Sequence, residues 1–373
     1  MQELLVPSRF DLMAKLLYIK YHEKDIKCGF FKELYHQHIK TFNNCWENPG
    51  TKVGIQDFFR DFDNLIEDMK THGFNKTHSI PIGRNGIIIN GAHRLVVSYF
   101  LGIQPTFDVK NTFGTAAYNY GFFINRENNP LNRIYADSMA LEYTRHNRNV
   151  RCCVLYPNAI SKNKQHYVDK IIKEYGYLYY MKGVNLNKNC VSNLTVEAYR
   201  GERWIGGMFP NGWSPGGKAR LCVCDDSDQP PTTMYMIVMN DVSKLVEFKE
   251  KVRQVYGMGK HSFHTTDYPE DTFRLCSALL NPNSVDFLNE PPITPSKSSQ
   301  NLLTNYFKNI SNGGADPDDF CLVGDIHEIL SGSIQNSATL TYITSTTNSS
   351  DENETSLKHN LLYDPKNYFY ING

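Results

Sequence analysis

The chain has 373 residues, enough for more than one hydrophobic core. Its 39 Lys plus Arg balance 39 Asp plus Glu, so no overall field draws it to nucleic acid or to an anionic membrane. Aromatic residues make up 13% of it, which argues against disorder over most of its length, and no run approaches the roughly 18–20 apolar residues of a membrane span.

The N-terminus has no basic stretch leading into an apolar core, so no secretion signal is expected. Nine cysteines lack repeated Cys-x-x-Cys pairs, which speaks for reduced thiols in a cytoplasmic setting and against a metal site. Nothing in the composition fixes an oligomeric state.

Residues 8–72 are predicted to be helical. Phe10, Leu12, Met13, Leu16 and Leu17 make one apolar face, and Phe58, Phe59, Phe62, Leu65 and Ile66 make another. The period then changes: Ser79 to Ile89 predicts a hairpin with its turn at Asn85-Gly86. Its second strand runs into Asn90-Gly91-Ala92-His93-Arg94 and a helix through Phe100. A glycine turn opening a helix presents free backbone N–H groups and the positive end of the helix dipole, and an arginine there adds a fork for two phosphate oxygens. The alternative is a plain helix cap with Arg94 in a structural ion pair.

The segment Ser79–Val109 resembles the ParB and sulfiredoxin family, whose members carry Asp-Gly-His-His-Arg or Gly-Cys-His-Arg where this chain has Asn-Gly-Ala-His-Arg. In that family the loop cradles nucleotide phosphates, and its members are ATP-dependent reductases, nucleotide-driven DNA clamps or small-molecule kinases. The resemblance implies a nucleotide or phosphate site at Gly91, His93 and Arg94, with His93 and Arg94 cationic and Arg84 a further cation. Ala92 stands where the reductases have cysteine, and the basic DNA-binding helices of the partition proteins are missing, so neither reductase nor DNA-clamp activity is expected.

After a bridge over residues 126–150, Cys152 to Leu155 predicts a strand, Val168 to Tyr175 a helix stopped at Gly176, and Tyr177 to Lys182 a second strand. Met234 to Met239 predicts a third strand and Val242 to Tyr256 a helix. Next comes Lys260-His261-Ser262-Phe263-His264-Thr265-Thr266-Asp267-Tyr268-Pro269-Glu270-Asp271. A neutral imidazole is a good nucleophile near neutral pH once a carboxylate or carbonyl fixes its tautomer, and Glu270 could supply that contact. The alternative is a helix-capping His264 with His261 solvated.

This order and spacing resembles the nucleoside diphosphate kinase family. The resemblance implies His264 as the phosphoryl-carrying nucleophile, with Asp267 and Glu270 at the acidic positions after it. The chain departs from the family at Tyr156, where a phosphate-contacting lysine would stand, and at His261, where an asparagine would stand. An insertion at Tyr199–Gly206 has no counterpart.

Residues 291–317 are turn-rich and form the predicted linker. Asp319 to Ser333 resembles the opening of a nucleotidyltransferase, but the expected metal-holding strand, Ala338 to Tyr342, has no carboxylates.

The expected fold class is therefore a multidomain α/β (α+β) chain. Residues 1–145 make a helical lead-in plus a ParB/sulfiredoxin-like domain. Residues 150–290 make a ferredoxin-like, nucleoside diphosphate kinase-like domain, and residues 318–373 a truncated, degenerate nucleotidyltransferase-like segment. The expected function is a nucleotide-dependent phosphotransferase, a kinase using ATP or another nucleotide with Mg2+ and acting on a small-molecule acceptor. Resemblance to chains accompanying surface-polysaccharide synthesis implies a sugar or sugar phosphate as that acceptor. Nucleic acid and membrane spans are not expected. The alternatives are a non-catalytic nucleotide-binding module, or a glycan-modifying transferase using Glu202 and Trp204.

Overall fold

The computed structural model describes residues 5–23, 29–47, 51–115, 117–126, 130–199, 216–224, 230–289, 320–323 and 341–344. Helices α1 (Asp11–Glu23) and α2 (Gly29–Asn43) precede a two-residue ribbon of β1 (Trp46–Glu47) with β2 (Lys52–Val53), then helix α3 (Ile55–His72). β3 (Ile80–Ile82), α4 (Ala92–Leu101) and β4 (Phe107–Val109) follow, the two strands pairing in parallel with Ile80 against Phe107. Helices α5 (Tyr120–Asn125) and α6 (Pro130–His146) lead to β5 (Val150–Leu155), α7 (Pro157–Ile160), α8 (Gln165–Tyr175) and β6 (Gly176–Val184). After α9 (Lys188–Ala198) and α10 (Gly216–Cys222) come β7 (Thr232–Met239), α11 (Leu245–Tyr256), β8 (Phe263–Thr265) and α12 (Pro269–Leu280). The last described elements are α13 (Pro282–Asn289), β9 (Phe320–Val323) and β10 (Thr341–Thr344).

The molecule is a mixture of helix and sheet. Described residues within Met1–Asn185 and Leu221–Leu280 form one compact unit, and those within Leu186–Arg220 and Asn281–Gly373 another.

In the first unit the main sheet runs β6-β7-β5-β8, antiparallel throughout. Every residue of the two central strands β5 and β7 is buried, Arg151 among them. One face carries Cys153, Leu155, Tyr235, Ile237, Met239 and Phe263. Against it lie the stripes Val168, Ile171, Ile172 and Tyr175 of α8 and Leu245, Phe248, Val252 and Tyr256 of α11, both at helical spacing. Since side chains alternate along a strand, Cys152, Val154 and His264 point the other way, toward the side where α12 packs on β5 and α6.

The N-terminal helices share this second side. Tyr143 of α6 stacks on Tyr179 of β6 with ring centroids 3.8 Å apart, and Phe10 lies 5.9 Å from Tyr180. Asp137 accepts from Tyr180 at 2.7 Å and from Lys182 at 2.8 Å. A boundary at 145–150 separates two sequence resemblances, and one interior crosses it.

In the second unit α9 is tied to α13: the Asn187 backbone N–H donates to Asn289 Oδ1 at 2.9 Å and its side-chain amide to the Asn289 carbonyl at 2.8 Å. β9 and β10 pair antiparallel, Thr341 against Val323. The linker 291–317, most of the Tyr199–Gly206 insertion, including Glu202 and Trp204, and residues 338–340 of the expected strand lie outside the described residues. Among the described residues no helix is long and apolar enough to cross a membrane.

Candidate functional site

A glycine turn does open α4, but the second hairpin strand expected before it is reduced to a single bridge, and β3 pairs in parallel with β4 instead. Gly83 donates to the Ile87 carbonyl and Gly86 to the Gly83 carbonyl, both at 2.9 Å, which closes the turn, and Ile82 bridges Ile88. Asn90 Oδ1 accepts the Gly91 backbone N–H at 2.6 Å. Gly91 is left-handed, φ 85° and ψ 25°, a conformation open to glycine because it has no Cβ to strain. A Cβ placed there would lie 2.9 Å from Nη2 of Arg94. The guanidinium therefore folds back over the turn, where its Nη1 also donates to the His78 carbonyl.

His93 takes a different course from its neighbour. Its Nε2 is 2.8 Å from the Tyr35 hydroxyl, and its ring packs edge-on to Phe62 at 4.6 Å and to Tyr35 at 5.9 Å. Burial, then the charges of Lys15 and His38, hold its pKa well below the ordinary imidazole value. The expectation that His93 is a cation is corrected on this ground: it is a neutral strut between α2, α3 and α4. Arg84 is exposed and rests over the Phe113 ring at 5.0 Å, in the segment clasped to its own turn by Asn85.

In the second stretch, His264 lies inside β8, paired across from Val154, and is 6% exposed. Asp267 is exposed and bound to Lys249 at 2.5 Å. Glu270 starts α12, and its carboxylate meets Arg148 at 3.3 Å, with both side chains about 70% exposed, at 69% and 71%. The partner expected to fix the His264 tautomer is thus committed to an arginine instead, because the first turn of α12 points Glu270 into solvent. Tyr156, standing where the kinase lysine would be, is 1% exposed and caps α7.

A third gathering of charge escapes motif reasoning, since its residues come from α1 and α6 and form no contiguous pattern. It surrounds Glu142. The only sequence signal is the helical spacing of Glu142, Arg145 and His146, which places all three on one face of α6.

Among the described residues no group of three or more His, Cys, Asp or Glu is arranged to hold a metal ion. Magnesium arriving with a nucleotide would be bound largely through the phosphates themselves. The chain matches no family model, no curated protein and no solved structure.

Proposed function

We propose that the chain is a phosphate- or nucleotide-binding protein whose ligand is held at the Gly91–Arg94 entrance of α4. One observation carries this: the left-handed Gly91 immediately ahead of a ten-residue helix, with the Arg94 guanidinium folded over it. Backbone N–H groups at the helix start and a forked cation beside them suit phosphate oxygens. The resemblance of Ser79–Val109 to the ParB and sulfiredoxin family points to the same place. Titrating the full chain with ATP, ADP and CTP tests it. Arg94→Ala should weaken the best ligand by about tenfold or more, the worth of one charge-assisted contact. An unchanged affinity removes the assignment.

A second reading is phosphotransfer through His264 without Asp267 or Glu270 as its acids, since those carboxylates pair with Lys249 and Arg148. What supports it is the element order strand, helix, strand, strand, helix, strand with the sheet order β6-β7-β5-β8. With α9 and α10 set between its two middle strands, that order is compatible with the ferredoxin-like arrangement that the nucleoside diphosphate kinase resemblance implies, the histidine falling on the last strand. It ranks second because a side chain 6% exposed within a strand must be uncovered before it meets a phosphoryl group. Incubation with gamma-labelled ATP should leave acid-labile, base-stable label that disappears in His264→Ala. Label that persists in that variant excludes His264 as the carrier. Under this reading the acceptor is a small molecule, a sugar or sugar phosphate.

A further inference from the structure

Strands β3 and β4 make a two-stranded sheet, and among the described residues one of its edges is open. On the far side of β3, Ile89 donates to the Pro81 carbonyl at 2.9 Å and Ile88 bridges Ile82. On the near side β3 takes up the even-numbered residues of the β4 segment. Ile80 donates to the Thr106 carbonyl, Lys110 to the Ile82 carbonyl and Arg84 to the Thr112 carbonyl, each at 2.8 Å. In a parallel ladder the residues between turn their backbone groups the other way. Phe107, Val109 and Asn111 therefore present N–H and C=O groups along an edge that no described strand pairs.

That edge lies in water. Residues 108–113 are all exposed, and Val109 is 66% exposed although it stands on the same face as its partner in the ladder, Ile82. An unpaired edge invites another strand, and charged side chains are one way of repelling it. Here the charges select a register instead. Asp108 and Lys110 stand together on the opposite face, their side chains 49% and 52% exposed, and meet at 2.5 Å.

An antiparallel second copy of β4 can lie on this edge with outward-facing residues opposite one another. Val109 against Val109 of the second copy gives reciprocal hydrogen bonds there and between Phe107 and Asn111. It also sets Asp108 across from Lys110 of the second copy at a non-hydrogen-bonded position, where side chains come closest. One step of the ladder in either direction puts Asp108 opposite Asp108, or Lys110 opposite Lys110. Opposite charges stabilise such a pair and like charges destabilise it. No uncompensated charge is required: Asp108 and Lys110 balance each other within each copy, and a half-exposed surface pair loses little if it loosens to share a second partner.

We propose that β4 is a self-association surface, through which two copies of this chain pair antiparallel about a two-fold axis at Val109 and join their small sheets in the order β3-β4-β4-β3. The same patch serves on both copies, so the contact closes at two. It goes beyond the ligand site at Gly91–Arg94 and does not depend on it.

Analytical ultracentrifugation of the full chain without nucleotide, at concentrations up to about 1 mM, should show a monomer–dimer equilibrium. Val109→Pro deletes an N–H that β3 does not use, so it should abolish the dimer while circular dichroism shows the monomer still folded. Asp108→Lys and Lys110→Asp each set like charges opposite on both sides of the axis, and either alone should weaken the dimer about tenfold. The two variants mixed should regain it, as should a chain carrying both substitutions, because opposite charges again face each other. Both positions are exposed, so this charge series stands even if Val109→Pro unfolds. A chain that stays monomeric throughout overturns the proposal. So does a dimer that survives in folded Val109→Pro, or a doubly reversed chain no more dimeric than the single variants. ATP affinity in Arg94→Ala measures the other site, so each can fail without the other.

Discussion

The Tyr35 hydroxyl lies 2.8 Å from Nε2 of His93, joining α2 to α4 through an imidazole packed against Phe62. Burial keeps this ring neutral, and it does the same to His38, whose Nε2 is 2.9 Å from Lys15 Nζ. Both pKa values are depressed in the folded state, so below the ordinary value of 6.5 the unfolded chain binds protons that the folded chain refuses. Stability should therefore fall as pH drops from 6.5 toward the folded values, by at most about 1.4 kcal/mol per pH unit for each histidine. Urea unfolding at pH 7.5, 6.5, 5.5 and 5.0 checks this. His93→Phe should flatten part of the slope, and an unaltered slope would mean that His93 is protonated in the fold after all.

Gly91 and Gly86 separate two kinds of glycine cost. Both have positive φ, 85° and 72°, but a Cβ at 86 would meet nothing within 4 Å while one at 91 would press on Arg94 Nη2 at 2.9 Å. Each alanine variant should lose about 1–2 kcal/mol for the left-handed backbone alone. A guanidinium is the end of a flexible side chain and can move, so Gly91→Ala should add little further instability. It should instead weaken nucleotide binding, and Gly86→Ala should not. Thermal melts beside ATP titrations distinguish the two.

The local elements were legible because their signals are local. The stripes of α8 and α11, the Asn85-Gly86 turn and the apolar runs of β5 and β7 each follow from residues within one element. The tertiary partners were hidden. His93 looks cationic beside Arg94, and only the arrival of Tyr35 and Phe62 from α2 and α3 packs its half-buried ring so that its pKa is held down. Glu270 stands six residues after His264, but the start of α12 turns it to Arg148, 122 positions away in sequence. The ion pairs of Glu142 join α6 to Lys20 of α1 and leave no run of residues to recognise.

The turn that carries Arg84 depends on a second pair of glycines. A Cβ on Gly83 would stand 2.1 Å from the Gly114 nitrogen, and one on Gly114 would stand 2.0 Å from the Ile87 carbonyl oxygen. Both obstacles are backbone, fixed by Asn85, whose amide donates to the Gly114 carbonyl at 3.0 Å and whose Oδ1 accepts its N–H at 2.9 Å. Gly114→Ala should therefore push the two segments apart and cost about 3 kcal/mol or more. The Tm should fall well beyond the loss in Gly86→Ala. Equal losses in the two variants would show that the clasp does not hold in solution.

Glu142 ties the acid limb of stability to its ion pairs with Lys20, Arg145 and His146. Its folded pKa lies below the ordinary 4.5, so the unfolded chain takes up its proton first as pH falls. The stabilisation is present in full above 4.5 and disappears as pH descends through the folded value. Glu142→Gln should remove that part of the acid transition and leave Lys20, Arg145 and His146 without their shared carboxylate. Breaking a fully buried pair costs about 3–5 kcal/mol, but Lys20 and Arg145 are 19% and 21% exposed and solvent screens them, so about 2–3 kcal/mol is expected at pH 7. Glu174→Gln is the control, because the Glu174–Lys251 pair is 56% and 42% exposed and should leave the unfolding midpoint where it is.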